Sequence, residues 1–463
     1  MQTTNQPSKA TSIMEAAASV KNNPNKVKEV ASVTANREPQ YDNLILGDGP
    51  GGVYSTDPGK SPVNNNVLVV AGTGGGKTKS VVEANLLHAR YNSMTVLLTK
   101  RRLLDQYRAL FRKRGYRIKV LNLVDPDASA LGFDPMLHVK DSSDLAMLGK
   151  NLLECTGDTS ERDRYWQNSA ASLFCAVAKL ATYKYGEKAR MKDVLYLLRF
   201  IDVDSTEIYD EDGDVIGYNE CCPKEDIEAL RDEDPKMFFD WSQYKENAPN
   251  AAANIRGVLL TAINTLMTEG ICRLMGKEEQ LDFRSLVDQK TVLFILTSPV
   301  NPALHPFANL VFGSMFKELF EYAEERSDGR LPIPMTAICD DFATGGQIPN
   351  FQHHISIFRE KGISVMMLVQ SLSQLAAMYG NNGATTIRDN TDNIVYLGGN
   401  DLETADQIAR RINKPVDEVL YLPIGQEYLF RRGQRPLQLQ RYQIYNDPLY
   451  QQEIAPREVM FRK

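Results

Sequence analysis

The segment Val67-Leu68-Val69-Val70-Ala71-Gly72-Thr73-Gly74-Gly75-Gly76-Lys77-Thr78 decides how this 463-residue chain is read. Four apolar residues in a row mark a strand buried on both faces, as in a parallel sheet. The run ends in a glycine-rich loop, and a helix is expected from about Lys77 to Arg90. Strand, loop and helix in that order make a phosphate-binding loop. Glycines let the backbone wrap closely around phosphate with its N–H groups turned inward, and the helix N-terminus adds a favourable dipole. The candidate nucleotide contacts are Gly72, Thr73, Gly74, Gly75, Gly76, Lys77, Thr78 and Lys79. In such a loop Lys77 reaches the β and γ phosphates of ATP, and Thr78 sets its hydroxyl on Mg²⁺. Ala71 stands where the pattern usually has glycine. The competing reading is a glycine-rich turn with no ligand.

A second acidic site, at the end of another buried strand, is needed to hold the metal and activate water. Thr336-Ala337-Ile338-Cys339-Asp340-Asp341 supplies it. Asp340 is assigned to Mg²⁺ through water and Asp341 to orienting the attacking water; an acidic pair capping a turn is the alternative. Gln370 ends the next apolar strand, Val365 to Val369, where its carboxamide can bond the γ-phosphate or the water. Arg359 lies between these strands, and its planar fork could contact phosphate across a subunit boundary. A backbone-bonded Gln370 and a surface salt bridge for Arg359 are the competing readings.

Around these motifs strand and helix signals alternate. Leu44–Leu46 and Val53–Tyr54 flank a Gly/Pro cluster and read as a small hairpin. Thr95–Leu98, Val120–Leu123, Val292–Leu296, Met335–Cys339 and Ile394–Leu397 are strand-like, and Ala308–Glu324 is helical. From Asp141 to Met275 helical periods dominate: Leu145–Cys155, Trp166–Tyr183, Asp193–Phe200 and Ala252–Leu274. The fold expected is α/β, a RecA-like P-loop NTPase with a mostly parallel sheet and an inserted all-α domain. Its divisions are a mobile polar arm at 1–40, the first part of the motor domain at 41–140, the mostly helical insertion at 141–275, and the second part of the motor at 276–463. Within the insertion, Asp210-Glu211-Asp212-Gly213-Asp214 between two short apolar runs reads as a hairpin turn. A calcium loop would need its glycine two places later and Glu at the twelfth position, where Cys221 stands.

Composition narrows the function. No apolar run reaches the ~18 residues that span a bilayer, and Met1–Pro7 lacks the basic and apolar regions of a signal peptide. The six cysteines, Cys155, Cys175, Cys221, Cys222, Cys272 and Cys339, form no C-x-x-C pair and suit a reducing cytoplasm. A net charge of −6 restricts any nucleic-acid contact to a local groove. One helix and its flanks gather Lys100, Arg101, Arg102, Arg108, Arg112, Lys113, Arg114, Arg117 and Lys119, with Tyr107 and Tyr116 interleaved. These could track a nucleic-acid backbone, but a solvated helix face is the preferred reading. Trp166 reads as a core anchor rather than a base-stacking platform.

Val67 to Ser80, Asp340-Asp341-Phe342-Ala343, Arg359-Glu360-Lys361-Gly362-Ile363, Gln370-Ser371-Leu372-Ser373-Gln374-Leu375 with Tyr379-Gly380, and Gly398-Gly399-Asn400-Asp401 with Thr404 together resemble the TraG/TraD type of conjugative coupling protein. Leu121-Asn122-Leu123 with Phe133-Asp134-Pro135, Arg164-Tyr165-Trp166 and Leu422-Pro423-Ile424-Gly425 extend the resemblance over most of the chain from Leu44. It implies the cytoplasmic ATPase of a type IV secretion system, with ATP and Mg²⁺, usually a ring of six, or a monomer in isolation. Its implied partners are a single-stranded DNA–relaxase complex or a secreted protein, and a separate membrane-anchoring or channel subunit holding it at the inner face of the cell membrane. It also implies that Arg359 is the arginine finger and Gln370 the polar strand-end residue. Three departures stand out. The acidic pair is Asp-Asp where the family usually has Asp-Glu. Thr99-Lys100-Arg101 replaces the usual Asp-x-Lys-Gly, and membrane-spanning helices are lacking at the start. A DNA translocase of the FtsK/HerA group and an ATP-gated receptor with little hydrolysis are the alternatives.

Overall fold

The computed structural model describes residues 40–156, 164–201, 207–218, 224–342 and 344–457. The chain divides into two units, residues 1–41 and 42–463. The polar arm expected at 1–40 lies outside the described residues except for Gln40, as do Cys221, Cys222, Ala343 and the side chain of Arg164.

Nine strands form the central sheet: β1 Val67–Val70, β2 Ser93–Leu98, β3 Arg117–Asn122, β4 Thr291–Leu296, β5 Met335–Cys339, β6 Ile363–Val369, β7 Asn393–Tyr396, β8 Gln426–Arg431 and β9 Leu437–Gln440. Their order is β9-β8-β7-β1-β6-β5-β2-β4-β3. β1 to β7 run parallel, and β8 and β9 are antiparallel additions at one edge. Every residue of β1, β2, β4, β6 and β7 is buried, the state a continuous apolar run requires. Alternate side chains take opposite faces. Val67 and Val69 join one apolar cluster with Val96, Phe294 and Leu368; Leu68 and Val70 join another with Leu97, Leu293 and Met367. The mostly parallel sheet and the hairpin of Asn43–Ile45 with Val53–Ser55 match the sequence expectations.

The stretch between β3 and β4 carries the helices. Arg164–Tyr185 is their axis, buried along Leu173, Phe174, Val177 and Leu180, and Ser142–Glu154, Met191–Phe200, Pro235–Lys245 and Pro249–Leu266 pack against it. Its apolar cluster is continuous with one face of the sheet. The acidic turn closes a two-stranded hairpin of Glu207–Tyr209 and Val215–Tyr218. The Asp210 carboxylate accepts from the amides of Asp212 and Asp214, so it serves the turn.

Three expectations need correction. The helix after the loop begins with a π turn, Thr78–Val82, and its α part ends at His88 rather than Arg90. The single helix expected over Ala252–Leu274 is two, Pro249–Leu266 and Glu269–Met275, bent by 77°. Thr268 breaks it by capping the second with a hydrogen bond to the Ile271 amide. Tyr107 and Tyr116 are buried, their hydroxyls bonded to Glu83 and to the Asn92 carbonyl, so neither ring can stack on a base. Of the cysteines, 155, 175 and 339 are buried and 272 is exposed.

Candidate functional site

Because β1 to β7 are parallel, the segments that follow them all emerge at one edge of the sheet. The loop after β1 is pinned there by its neighbours. The Ala71 amide donates to the Val369 carbonyl at 3.1 Å and the Gly72 amide to the Gly398 carbonyl at 3.0 Å. Gly74 and Gly76 have φ of 73° and 83°, the left-handed region that a side chain disfavours. A Cβ on Gly75 would lie 2.8 Å from the Gly72 carbonyl oxygen, so the loop closes only with glycine there.

Lys77 folds back over the loop, its Nζ 2.6 Å from the Ala71 carbonyl. Burial lowers its pKa, against the opposing pull of Asp341 and Asp340. The Thr78 hydroxyl lies 3.2 Å from Asp340 Oδ2. Asp340 is buried, and burial raises its pKa. Asp341 adds to that rise, while the Thr78 hydrogen bond, Lys77 and Lys100 oppose it. At this buried point two oxygen ligands, a carboxylate and a hydroxyl, meet. Hard oxygen donors of that kind suit Mg²⁺, so Thr78 and Asp340 fit the metal implied by the loop. Asp341 adopts φ 56°, a left-handed conformation rare outside glycine, asparagine and aspartate. The turn aims it into the same electrostatic neighbourhood as Lys77 and His305. Gln370, exposed at the end of β6, takes the Thr73 hydroxyl at 3.5 Å, while its backbone amide donates to Gln374.

The structure thus brings Thr73, Lys77, Thr78, Asp340, Asp341 and Gln370 together. Lys79 turns from the loop to Glu83, 3.0 Å away. Arg359 is not part of the group. It sits exposed near the end of the helix Phe351–Lys361, which feeds the start of β6. With β6 spanning ~20 Å, Arg359 lies at the opposite edge of the sheet from its own loop. Of the basic cluster, Lys100, Arg101 and Arg102 are exposed, while Lys113 pairs with Glu453, Lys119 with Glu279 and Arg117 with Gln289. Trp166 is half-buried against the apolar cluster and beside Tyr165, with ring centroids 5.0 Å apart.

Sequence reasoning missed two residues here. His305, buried at the start of the helix His305–Glu324, feels Asp341, though burial lowers its pKa. Arg441, just past β9, donates to the Gly75 carbonyl at 2.8 Å, to the Gln426 carbonyl at 3.1 Å and to the Leu397 carbonyl. It holds the phosphate-binding loop from behind. No local motif marks either residue.

A glycine-rich loop between a buried parallel strand and a helix, faced by an acidic strand end two strands away, defines a RecA-like P-loop NTPase fold. The chain belongs to the family described as "Type IV secretory system Conjugative DNA transfer", which matches residues 9–416. It is thus of the conjugative coupling-protein type. The conjugal transfer protein TraG of Rhizobium radiobacter is 23% identical over 382 residues, 76% of this chain and 53% of that protein. The chain therefore spans about half the length of this relative. Among solved structures, the unbound coupling protein TrwBdeltaN70 superposes with a TM-score of 0.59 at 16% identity, covering 81% of this chain and 84% of that one. TrwB in complex with ADP and Mg²⁺ gives 0.58 at 16% identity, covering 81% and 85%. VirB4 of Thermoanaerobacter pseudethanolicus gives 0.52 at 11% identity, covering 86% and 96%. These likenesses establish the fold.

Proposed function

We propose that this chain is an ATP-hydrolysing coupling protein that recruits DNA–relaxase complexes or secreted proteins to a type IV secretion channel and drives their transfer. The observation that carries the reading is the meeting of Lys77, Thr78, Asp340, Asp341 and Gln370 at one edge of the sheet. The loop amides cradle the phosphates and Lys77 leaves the Ala71 carbonyl for the γ-phosphate. Asp341 accepts a proton from the attacking water or orients it, and Gln370 and Thr73 close over the terminal phosphate. Thr78 and Asp340 would hold Mg²⁺, which when bound neutralises charge on the phosphate oxygens. The coupling protein TrwB was captured with ADP and Mg²⁺, and with non-hydrolysable GTP and ATP analogues.

In this reading Arg359 acts in trans. Its position at the far edge of the sheet cannot serve its own loop, and charge spreading over the phosphoryl oxygens beside two carboxylates calls for a further cation from a neighbouring subunit. That requires a ring, for which six subunits is the family's usual number. The helices of residues 141–275 carry none of the phosphate-facing residues and are the part available for cargo. A separate membrane or channel subunit would hold the ring at the inner face of the membrane, as the resemblance to coupling proteins implies. The test is steady-state ATP turnover, with and without single-stranded DNA, for the wild type and Lys77→Ala. Turnover stimulated by DNA and lost in the variant is expected. Equal turnover in a folded Lys77→Ala protein would overturn the site.

A further inference from the structure

The sheet order separates the two ends of a nucleotide. Asp340 follows β5, on one side of the loop strand β1, and it marks the γ-phosphate and metal end. On the other side lie β7, β8 and β9, and the chain leaving β9 turns back across the helix that follows the loop. Arg441 fastens that chain to the Gly75 carbonyl at 2.8 Å, and a Cβ on Gly76 would lie 3.3 Å from the same guanidinium. Asp447 fastens it again: its carboxylate accepts from His88 at 2.8 Å and from the Tyr442 hydroxyl, and it caps the helix Pro448–Glu453.

Between the two fastenings stands Tyr445. Tyr445 is 50% exposed, whereas Tyr450 beside it is 1% exposed. The two rings meet edge to face at 5.4 Å and 89°, which fixes the plane of Tyr445. Lys79 Nζ lies 5.1 Å from the Tyr445 ring centroid, and Lys79 follows Thr78 directly in the phosphate-binding segment. An aromatic ring held edge to face by Tyr450, half open to solvent and lying under the ammonium of the residue that follows the phosphate loop thus stands on the side of the loop away from Asp340. The geometry points to Tyr445 as the platform on which the purine of the bound nucleotide stacks. This rests on the P-loop binding nucleotide as proposed above. Stacking tolerates any base, because every base has a π-face, so the site accepts adenine and guanine nucleotides with similar affinity. The base rather than the phosphates then supplies a defined share of the binding.

The experiment compares ATP, GTP and inorganic tripolyphosphate by calorimetry on the full chain. Base–aromatic stacking by general measure changes affinity by about 5- to 100-fold. Tyr445→Ala should weaken ATP and GTP by a factor in that range and leave tripolyphosphate unchanged. Tyr445→Phe should bind all three like the wild type. Tyr445→Trp should show emission quenched by ATP but not by tripolyphosphate. Equal ATP affinity in Tyr445→Ala and wild type, or no quenching in a Tyr445→Trp protein that binds ATP, overturns the platform and leaves the P-loop reading intact. Failure of the wild type to bind either ATP or tripolyphosphate overturns both.

Discussion

Glu427 is the least comfortable residue in the fold, and replacing it by glutamine should change how stability depends on pH. It lies in β8 opposite Leu439 of β9, is 0% exposed, and neither carboxylate oxygen has a hydrogen-bond partner. A Cβ on Gly47 would lie 2.4 Å from its Oε1, so Gly47 is the residue that leaves it room. Arg441 is the nearest cation but gives its N–H groups to three carbonyls. Burial therefore pushes the Glu427 carboxyl up to about 8; Arg441 opposes the rise and Asp48 adds to it. From the ordinary 4.5 to about 8, at ~1.36 kcal/mol per pH unit, the difference amounts to roughly 5 kcal/mol. The sign is that of a carboxyl kept protonated by folding. Below pH ~4.5 folded and unfolded chains both hold the proton and nothing is lost. Between ~4.5 and ~8 the unfolded chain releases it while the folded one does not, so stability falls as pH rises. Above ~8 the loss is complete. Glu427→Gln cannot ionise and should remove this slope, leaving the variant several kcal/mol more stable than the wild type near pH 8.5. Urea unfolding followed by circular dichroism from pH 5 to 8.5 reads the difference directly. Parallel stability curves for variant and wild type would refute the reasoning, because they would mean that Glu427 is ionised in the fold or paired after all.

Lys77→Ala should lose ATP turnover by more than about 10²-fold with an unchanged circular dichroism spectrum, since Lys77 bonds a loop carbonyl, that of Ala71, and feels the site carboxylates rather than packing in the core. Asp341→Asn should fold, asparagine being tolerated at φ 56°, yet lose single-turnover hydrolysis. Asp341→Glu should keep or raise it, the longer side chain reaching farther toward the water; equal rates for Asn and wild type would assign the water to another group. Arg359→Ala should bind ATP normally but turn over about 10³-fold more slowly, and mixing it with Lys77→Ala should restore part of the activity. No rescue in demonstrably mixed rings would remove Arg359 from the neighbouring site.

What could be read in the sequence follows from where the chain is buried on both sides. Val67–Val70 and Val365–Val369 are apolar throughout because no face of these strands meets water, and such runs announce both the sheet and the edge where loops gather. The strand-end positions of Asp340 and Gln370 were legible for the same reason, each residue following the last apolar position of a sheet strand. β8 escaped notice because Glu427 and Arg431, both buried, break its apolar pattern. Arg431 is satisfied by Asn393 and Ser61, far away in sequence. The helix Pro235–Lys245 could have been found: Asp234 caps it and Pro235 opens it, the expected start signals. Tyr107 was in view twice, and the i, i+3, i+4 spacing with Leu103, Leu110 and Phe111 already set it on the buried face rather than the basic one. Arg441 and Tyr445 carry no signal at all. Their partners, Gly75 and Lys79, are more than 360 residues distant.

The two antiparallel strands at the sheet's edge bear on how the protein can be cut. The pattern shared with the family ends at residue 416, ten residues before β8 begins. A fragment trimmed to that pattern would keep the signature segments from Val67 to Thr404 and lose only Leu422-Pro423-Ile424-Gly425. It would also strip the outer edge of β7, exposing a fully buried row, Asn393 to Tyr396, to pairing with other chains. The Gly75 carbonyl would lose its tether with Arg441, and Gly72 and Gly398 alone would steady that side of the loop. Such a fragment should aggregate and bind nucleotide poorly. Residues 417–457 are thus the backing plate of the phosphate loop rather than a dispensable tail.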